Sequence, residues 1–170
     1  MMTALYLLLA QGALGGFDTL YYHEYKLRLP AQPHAANELR LHAFRDFVYA
    51  VLFGSIGWLA WNGWFAYLFL GLLVTEIVIT LLDFLEEDRI RKLPPGERVM
   101  HALMGILYGL FLACLLPTVW IWMHAATGFS GVRYGLMSPL LTLMAAGVLL
   151  SGIRDLISSG RIHEVVGRRS

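Results

Sequence analysis

The sequence predicts an all-α polytopic membrane protein of five transmembrane helices, with a four-helix core made from a duplicated hairpin and one extra helix. Three observations carry this reading. First, a chain that is 58% hydrophobic and 15% charged, with mean hydropathy +0.61, has too little polar surface to coat a soluble globule of 170 residues. Second, apolar segments long enough to cross a hydrocarbon core alternate with polar breaks rich in proline and glycine. Third, one pattern of acidic and histidine side chains occurs twice, each time around a Leu-Pro break.

The first helix is expected over residues 3–25. No Lys or Arg precedes its apolar run, so it reads as a retained span, with signal-peptide cleavage near Ala13 as the alternative. Gly12, Gly15 and Gly16 are expected to let a neighbouring helix approach closely. Lys26, Arg28, Pro30 and Pro33 form a broken turn before a second helix over 35–62, and Asn62-Gly63 reverses the chain. The third helix, 64–90, ends in a charged run at 86–92, and Pro94-Pro95-Gly96 forces the next turn. A fourth helix covers 97–124, and a fifth covers 133–157. The organisation is a single membrane domain over 1–158, with repeat 1 at about 3–62 and repeat 2 at about 64–124, followed by a cytoplasmic tail at 159–170.

Basic residues crowd the Leu-Pro turns and the C-terminal end: Lys26, Arg28, Arg40, Arg45, then Arg89, Arg91, Lys92, Arg98, then Arg154, Arg161, Arg168 and Arg169. Only Arg133 lies on the opposite side. Positive charge favours the cytoplasm, which places the N-terminus outside, the C-terminus inside and the protein in a bacterial inner membrane. Trp58, Trp61, Trp64, Trp120 and Trp122 read as an interfacial belt. The balance of 13 Lys and Arg against 12 Asp and Glu leaves no electrostatic footprint for nucleic acid. A single cysteine, Cys114, excludes an intramolecular disulfide and a thiolate-based metal site within the chain, and is expected to pack.

In the repeat, Gln11 and Asp18 match Glu76 and Asp83 in one register. His23-Glu24 and Leu29-Pro30 match Glu87-Asp88 and Leu93-Pro94 after a slip of one residue, and Glu38, His42 and Tyr49 match Glu97, His101 and Tyr108. Two copies running in the same direction imply a pseudo-twofold axis along the membrane normal. Helical spacing gathers each set on one face: Glu38, His42, Arg45, Tyr49; Glu97, His101, Met104, Tyr108; Glu76, Thr80, Asp83, Glu87; and Gln11, Asp18, Tyr22. An ionisable group inside a span costs on the order of 3 kcal/mol, so such groups are expected to pair, coordinate or function. Glu76, two turns deeper than Asp83, is the hardest to assign to a solvated helix end, whereas 86–88 read as an ordinary charged terminus.

Carboxylates and imidazoles without thiolate suit iron, manganese or zinc. The expected ligands are Asp18, His23, Glu24, Glu38, His42, Glu76, Asp83, Glu87, Glu97 and His101, with Tyr49 and Tyr108 as candidate catalytic groups and a hydrogen-bonded ionic network through Arg40, Arg45 and Arg98 as the structural alternative. Glu38 with His42 and Glu97 with His101 give the chain a resemblance to the ferritin-like di-iron carboxylate bundles, with the difference that those use Glu-x-x-His and both pairs here are Glu-x-x-x-His. The chain lacks the His-x-x-His-His boxes of membrane desaturases and hydroxylases. The resemblance implies two iron ions and a membrane oxidoreductase of oxygenase or desaturase type, acting on a lipid-like substrate with a redox partner. Two alternatives stand beside it: a b-type haem protein with His42 and His101 as axial ligands, and a metal or proton-coupled transporter lined by Glu76 and Asp83. The fifth helix, with Gly147 and Gly152, is expected to pack on the bundle or on a second copy in a homo-oligomer, and Arg154 and Asp155 read as its solvated end.

Overall fold

The structure is a computed structural model and describes residues 1–167. Arg168 and Arg169, counted above among the C-terminal charges, lie outside the described residues. The fold is all-helical apart from one small strand pair. Helix α1 (Met2–Phe17) continues without a break into a π-helical segment (Asp18–Lys26), and a 3-10 turn (Leu29–Ala31) leads to α2 (Ala36–Ile56). Strand β1 (Leu59–Asn62) precedes α3 (Trp64–Ile90) and α4 (Pro95–Met123), and strand β2 (Gly128–Gly131) precedes α5 (Met137–Gly167).

Three helices, α3, α4 and α5, are long and apolar enough to cross a membrane. The expected five are not reached on length and composition. Regular α-helix in α1 stops after 16 residues, and α2 carries Glu38, Arg40, Arg45 and Asp46 within its 21 residues.

Two helix ends differ from expectation for identifiable reasons. Helix α2 stops at Ile56 because the chain then extends to pair Leu59 with Gly131 and Asn62 with Gly128 in an antiparallel ladder. That ladder ties the α2–α3 connection to the α4–α5 connection and satisfies backbone groups that a free loop would expose. Helix α5 runs past Ile157 because its polar residues have partners on α2. Ser138 Oγ donates to Gly57 O at 2.6 Å and Ser159 Oγ donates to Ala36 O at 2.7 Å, pinning α5 to both ends of α2. Ile162 packs beside the buried Leu29, Ala35 and Leu39.

Helix α1 packs on α4 and α2 on α3, as exchange of the repeats would have it, whereas α3 packs on α4 with no matching α1–α2 contact of that extent. Helix α5 packs along α2 more extensively than any other pair and also touches α1, so the helices follow one another round a ring. The fifth helix is therefore part of the wall. The apolar core lies toward the strand end, where Leu5, Leu8, Leu52, Phe53, Phe69, Phe111 and Leu115 are buried and Cys114 packs at the edge. Trp58, Trp64 and Trp120 are exposed as a belt requires, but Trp122 is buried against Phe69 and Trp61 packs on Phe69 and Phe129.

Glycine serves two different purposes here. A Cβ on Gly152 would lie 3.0 Å from Asp46 Cβ and 3.1 Å from Ala43 O, so this glycine sets the α2–α5 approach; Gly12 does the same against Phe53, at 2.8 Å. Gly15, Gly16 and Gly147 face open space instead, with nothing within 4 Å of an added Cβ. Gly152→Leu is expected to destabilise the protein by about 1–3 kcal/mol through overpacking. Gly147→Ala is expected to be neutral. Thermal unfolding in detergent distinguishes the two.

Candidate metal centre

Each imidazole reaches its place by helical geometry and meets carboxylates from the other repeat. His42 Nε2 lies 3.1 Å from Asp83 Oδ2, and His101 Nε2 lies 3.4 Å from Asp18 Oδ2. These contacts are images of one another under exchange of the repeats, as are the α2–α3 and α1–α4 pairings. The same exchange maps the stacked rings of His23 and His42, 4.6 Å apart, onto the 3.4 Å approach of His101 Nδ1 to Glu87 Oε2. The His42–Asp83 and His101–Asp18 contacts each join a histidine of one repeat to a carboxylate of the other.

The π-helical segment accounts for the slip of one residue between the copies. In repeat 2, Asp83 and Glu87 are four apart on an α-helix; in repeat 1, Asp18 and His23 are five apart. A π-helix bonds i to i+5, so its extra residue keeps both side chains on the inner face. His23 Nε2 then lies 3.3 Å from Asp18 Oδ2 and 3.5 Å from Glu97 Oε1.

Two groups result. His23, Glu87, Glu97 and His101 bring one ligand atom each within 4.8 Å of one another, and so do Glu38, His42 and Glu87. All six residues are buried, and Glu87 belongs to both groups. Asp18 and Asp83 stand beside them, each against a histidine.

The donor set fits a metal. His23 Nε2, His42 Nε2, His101 Nδ1, Glu87 Oε2, Asp18 Oδ1 and Asp83 Oδ1 are buried without a hydrogen-bond partner. Most buried polar atoms find one. Imidazole and carboxylate atoms approach to between 3.1 and 3.5 Å here without hydrogen-bond alignment. An ion with bonds of about 2.0–2.2 Å spaces its own ligands at about 2.8–3.6 Å, the edges of a tetrahedron or octahedron.

Two predicted ligands go elsewhere. Glu24 turns out of the cluster to pair with Arg154 at 2.9 Å, and Arg154 also holds the buried Asp155 at 2.7 Å, so this end of α5 is an ionic anchor instead of a solvated terminus. Glu76 sits among hydroxyls, accepting from Tyr49 at 3.0 Å and from Thr80 at 2.9 Å. Tyr49 and Tyr108 lie with it, their rings 6.4 Å apart and edge to face. Glu86 pairs with Arg89, and Asp88 is exposed, as an ordinary helix end would have them.

The ionic network has an unexpected centre. Among the described residues, Arg45 pairs with Asp83 at 2.6 Å, but no ion pair involves Arg40 or Arg98. Arg91 takes the central place, donating to Glu38 and Glu97 at 2.7 Å and to Glu87 at 3.3 Å. Burial disfavours its charge, but the hydrogen bonds and charges of Glu97 and Glu38 outweigh this and raise its pKa above the ordinary arginine value. In the sequence Arg91 lies in the charged run after α3, where nothing except its spacing of four from Glu87 sets it apart.

A cavity of about 660 Å³ adjoins the cluster. Asp18 and His101 line one end, Gln11, Tyr49, Glu76 and Tyr108 the other, and all five helices contribute. Gly15, Gly16, Gly105 and Gly147 line it and leave it open, which assigns Gly15 and Gly16 to the cavity wall in place of a helix contact.

Comparisons of the chain with protein-family models, curated proteins and solved structures return no match.

Removing Arg91 leaves three buried carboxylates without their cation. Arg91→Ala is expected to destabilise chelator-treated protein by about 3 kcal/mol. Added divalent metal should restore most of that loss in a thermal unfolding assay, because a bound ion stabilises the state that holds it.

Proposed function

We propose that the protein is a membrane-embedded, metal-dependent oxidoreductase, most simply a di-iron one, that acts on a lipid-like substrate through oxygen activation. The observation that carries this reading is the pair of His-carboxylate groups sharing Glu87, set against a cavity open among five helices. His23, Glu97 and His101 would hold one ion, Glu38 and His42 the other, and Glu87 would lie between them. Asp18 and Asp83, each with a buried oxygen that has no hydrogen-bond partner beside an imidazole, would be further ligands. A nitrogen and oxygen donor set without thiolate favours iron, manganese or zinc over copper(I). An iron pair would supply the redox chemistry, with electrons from a separate partner. The chain's own residues would position the substrate and exclude water.

The substrate class follows from the cavity and its rim. Leu20, Leu81 and Leu150 line it and are exposed, so in a bilayer an acyl or isoprenoid chain would enter between helices. The five-span arrangement belongs to this proposal. Helix α1 with its π continuation has spanning length, and of the charges on α2 Glu38 and Arg45 face the bundle, while Arg40 near its start is exposed. The expected topology, N-terminus outside in a bacterial inner membrane, rests on charge distribution alone.

The other readings draw less support. In a bis-histidine haem protein His42 and His101 would need a macrocycle between them, but His42 Nε2 is against Asp83 and His101 is held by Asp18 and Glu87. A transport path would need Glu76 and Asp83 on one line of polar groups, and they bond to different partners, Tyr49 and Thr80 against Arg45.

Gently purified protein is expected to contain about two transition-metal ions per chain, as a two-metal site requires. Glu87→Ala should lower that to one or none. Glu24→Gln, whose parent residue bonds to Arg154, should leave it unchanged. Elemental analysis reads all three, and no stoichiometric metal in the parent protein would end the proposal.

A further inference from the structure

The two halves of the cluster differ in donors, in counter-charge and in access. The first group has two imidazoles, His23 and His101, with Glu97; the second has one, His42, with Glu38; both share Glu87. Asp18 Oδ2 lies 3.3 Å from His23 Nε2 and 3.4 Å from His101 Nε2, and Asp83 Oδ2 lies 3.1 Å from His42 Nε2. Asp18 therefore goes with the first group and Asp83 with the second. Arg91 bonds to Glu38 and Glu97 alike, so it does not distinguish them. Arg45 does. It donates to Asp83 Oδ2 at 2.6 Å, whereas among the described residues no Arg or Lys pairs with Asp18. Repeat 2 has Met104 in its place, three positions after His101 as Arg45 is three after His42. The cavity adds the difference in access: Asp18 and His101 line it, while Glu38, His42 and Asp83 do not, and Arg45 forms part of the wall.

We infer that the two ion sites are unequal: the first group binds a divalent ion more tightly and meets small ligands from the cavity, and the second, weakened by Arg45, fills afterwards and stays enclosed. Two effects act in the same direction. Imidazole nitrogens suit the later first-row divalent ions better than carboxylate oxygens do, and the first group has one imidazole more. A fixed guanidinium beside Asp83 repels an incoming dication and engages an oxygen that would otherwise coordinate it. Asp83 Oδ1 remains buried without a partner, so the second group keeps a free donor atom and can still bind. Arg45 is then the residue that sets the order of loading. Because Asp18 and His101 are the ligands on the cavity wall, an exogenous ligand reaches the first ion and is kept from the second.

The inference rests on the proposed two-ion reading of the cluster. The test titrates chelator-treated, full-length protein in detergent with cobalt(II) chloride, followed by calorimetry and visible absorption. Two binding events are expected, with Kd values about tenfold or more apart, the size of effect that one group next to a metal ligand has on affinity. Arg45→Met should tighten the weaker event about tenfold, and Met104→Arg should weaken the stronger one by about as much. Arg45→Lys, which keeps the charge, should leave the two events well separated. Sodium azide should change the spectrum of protein holding one equivalent of cobalt and leave the increment from the second equivalent unaltered. Two events of equal strength in the unaltered chain overturn the inference without any variant. So does azide that acts on the second ion alone, or an Arg45→Met chain whose weaker event is unchanged or weaker still. Stoichiometry separates the two proposals: two ions bound equally refute the inequality and leave the two-ion site standing, whereas uptake of fewer than two ions ends the two-ion reading itself.

Discussion

The reciprocal contacts of His42 with Asp83 and of His101 with Asp18 hold the polar end of the bundle together. Each joins a histidine on the second helix of one repeat to a carboxylate on the first helix of the other. A buried ionisable side chain without a partner is costly, so eight of them on four helices have one inexpensive arrangement, which is to face each other. The α1–α4 and α2–α3 pairings and the burial of Glu38 and Glu97 agree with that arrangement. Arg91 supplies the cation that lets three of the carboxylates sit close together.

The two repeats are not identical, and their differences are informative. His23 stands where repeat 2 has Glu87, so the middle of the site has one imidazole and one carboxylate instead of two like groups. The π-helical segment makes this possible by turning His23 inward despite the extra residue, and such insertions recur at functional sites. Helix α5 has no counterpart in the repeat. By packing along α2 and reaching α1 it encloses a space that four helices alone would leave open, and Gly147 and Gly152 show both sides of that role, one leaving room and the other closing an interface.

Much of the site could be read from spacing. Glu38, His42, Glu97 and His101 converge because a spacing of four keeps two side chains on one helix face, and the duplication indicated which faces meet. Glu24 and Glu76 could not be sorted from true cluster members in that way. Glu24 is adjacent to His23 and differs only in pointing to Arg154, a residue more than a hundred positions away. Glu76 shares a face with Asp83, but its hydroxyl partners come from a neighbouring helix and its own next turn. The strand pair was invisible because neither four-residue segment alternates in polarity. The criterion of spanning length also missed the distinction between α2 and its neighbours: its charges are real, and only the fold shows that Glu38, His42 and Arg45 point inward.

The claim on which everything else depends is that the two His-carboxylate groups bind a pair of ions sharing Glu87. Anomalous diffraction from crystals of metal-loaded protein, recorded above and below the metal edge, tests it directly. The account predicts two peaks about 3.5–4 Å apart on either side of the Glu87 carboxylate, one near His101 and His23 and the other near His42. A single peak elsewhere in the bundle would contradict it, and so would no peak in crystals whose Arg91, Glu38 and Glu97 keep their mutual hydrogen bonds.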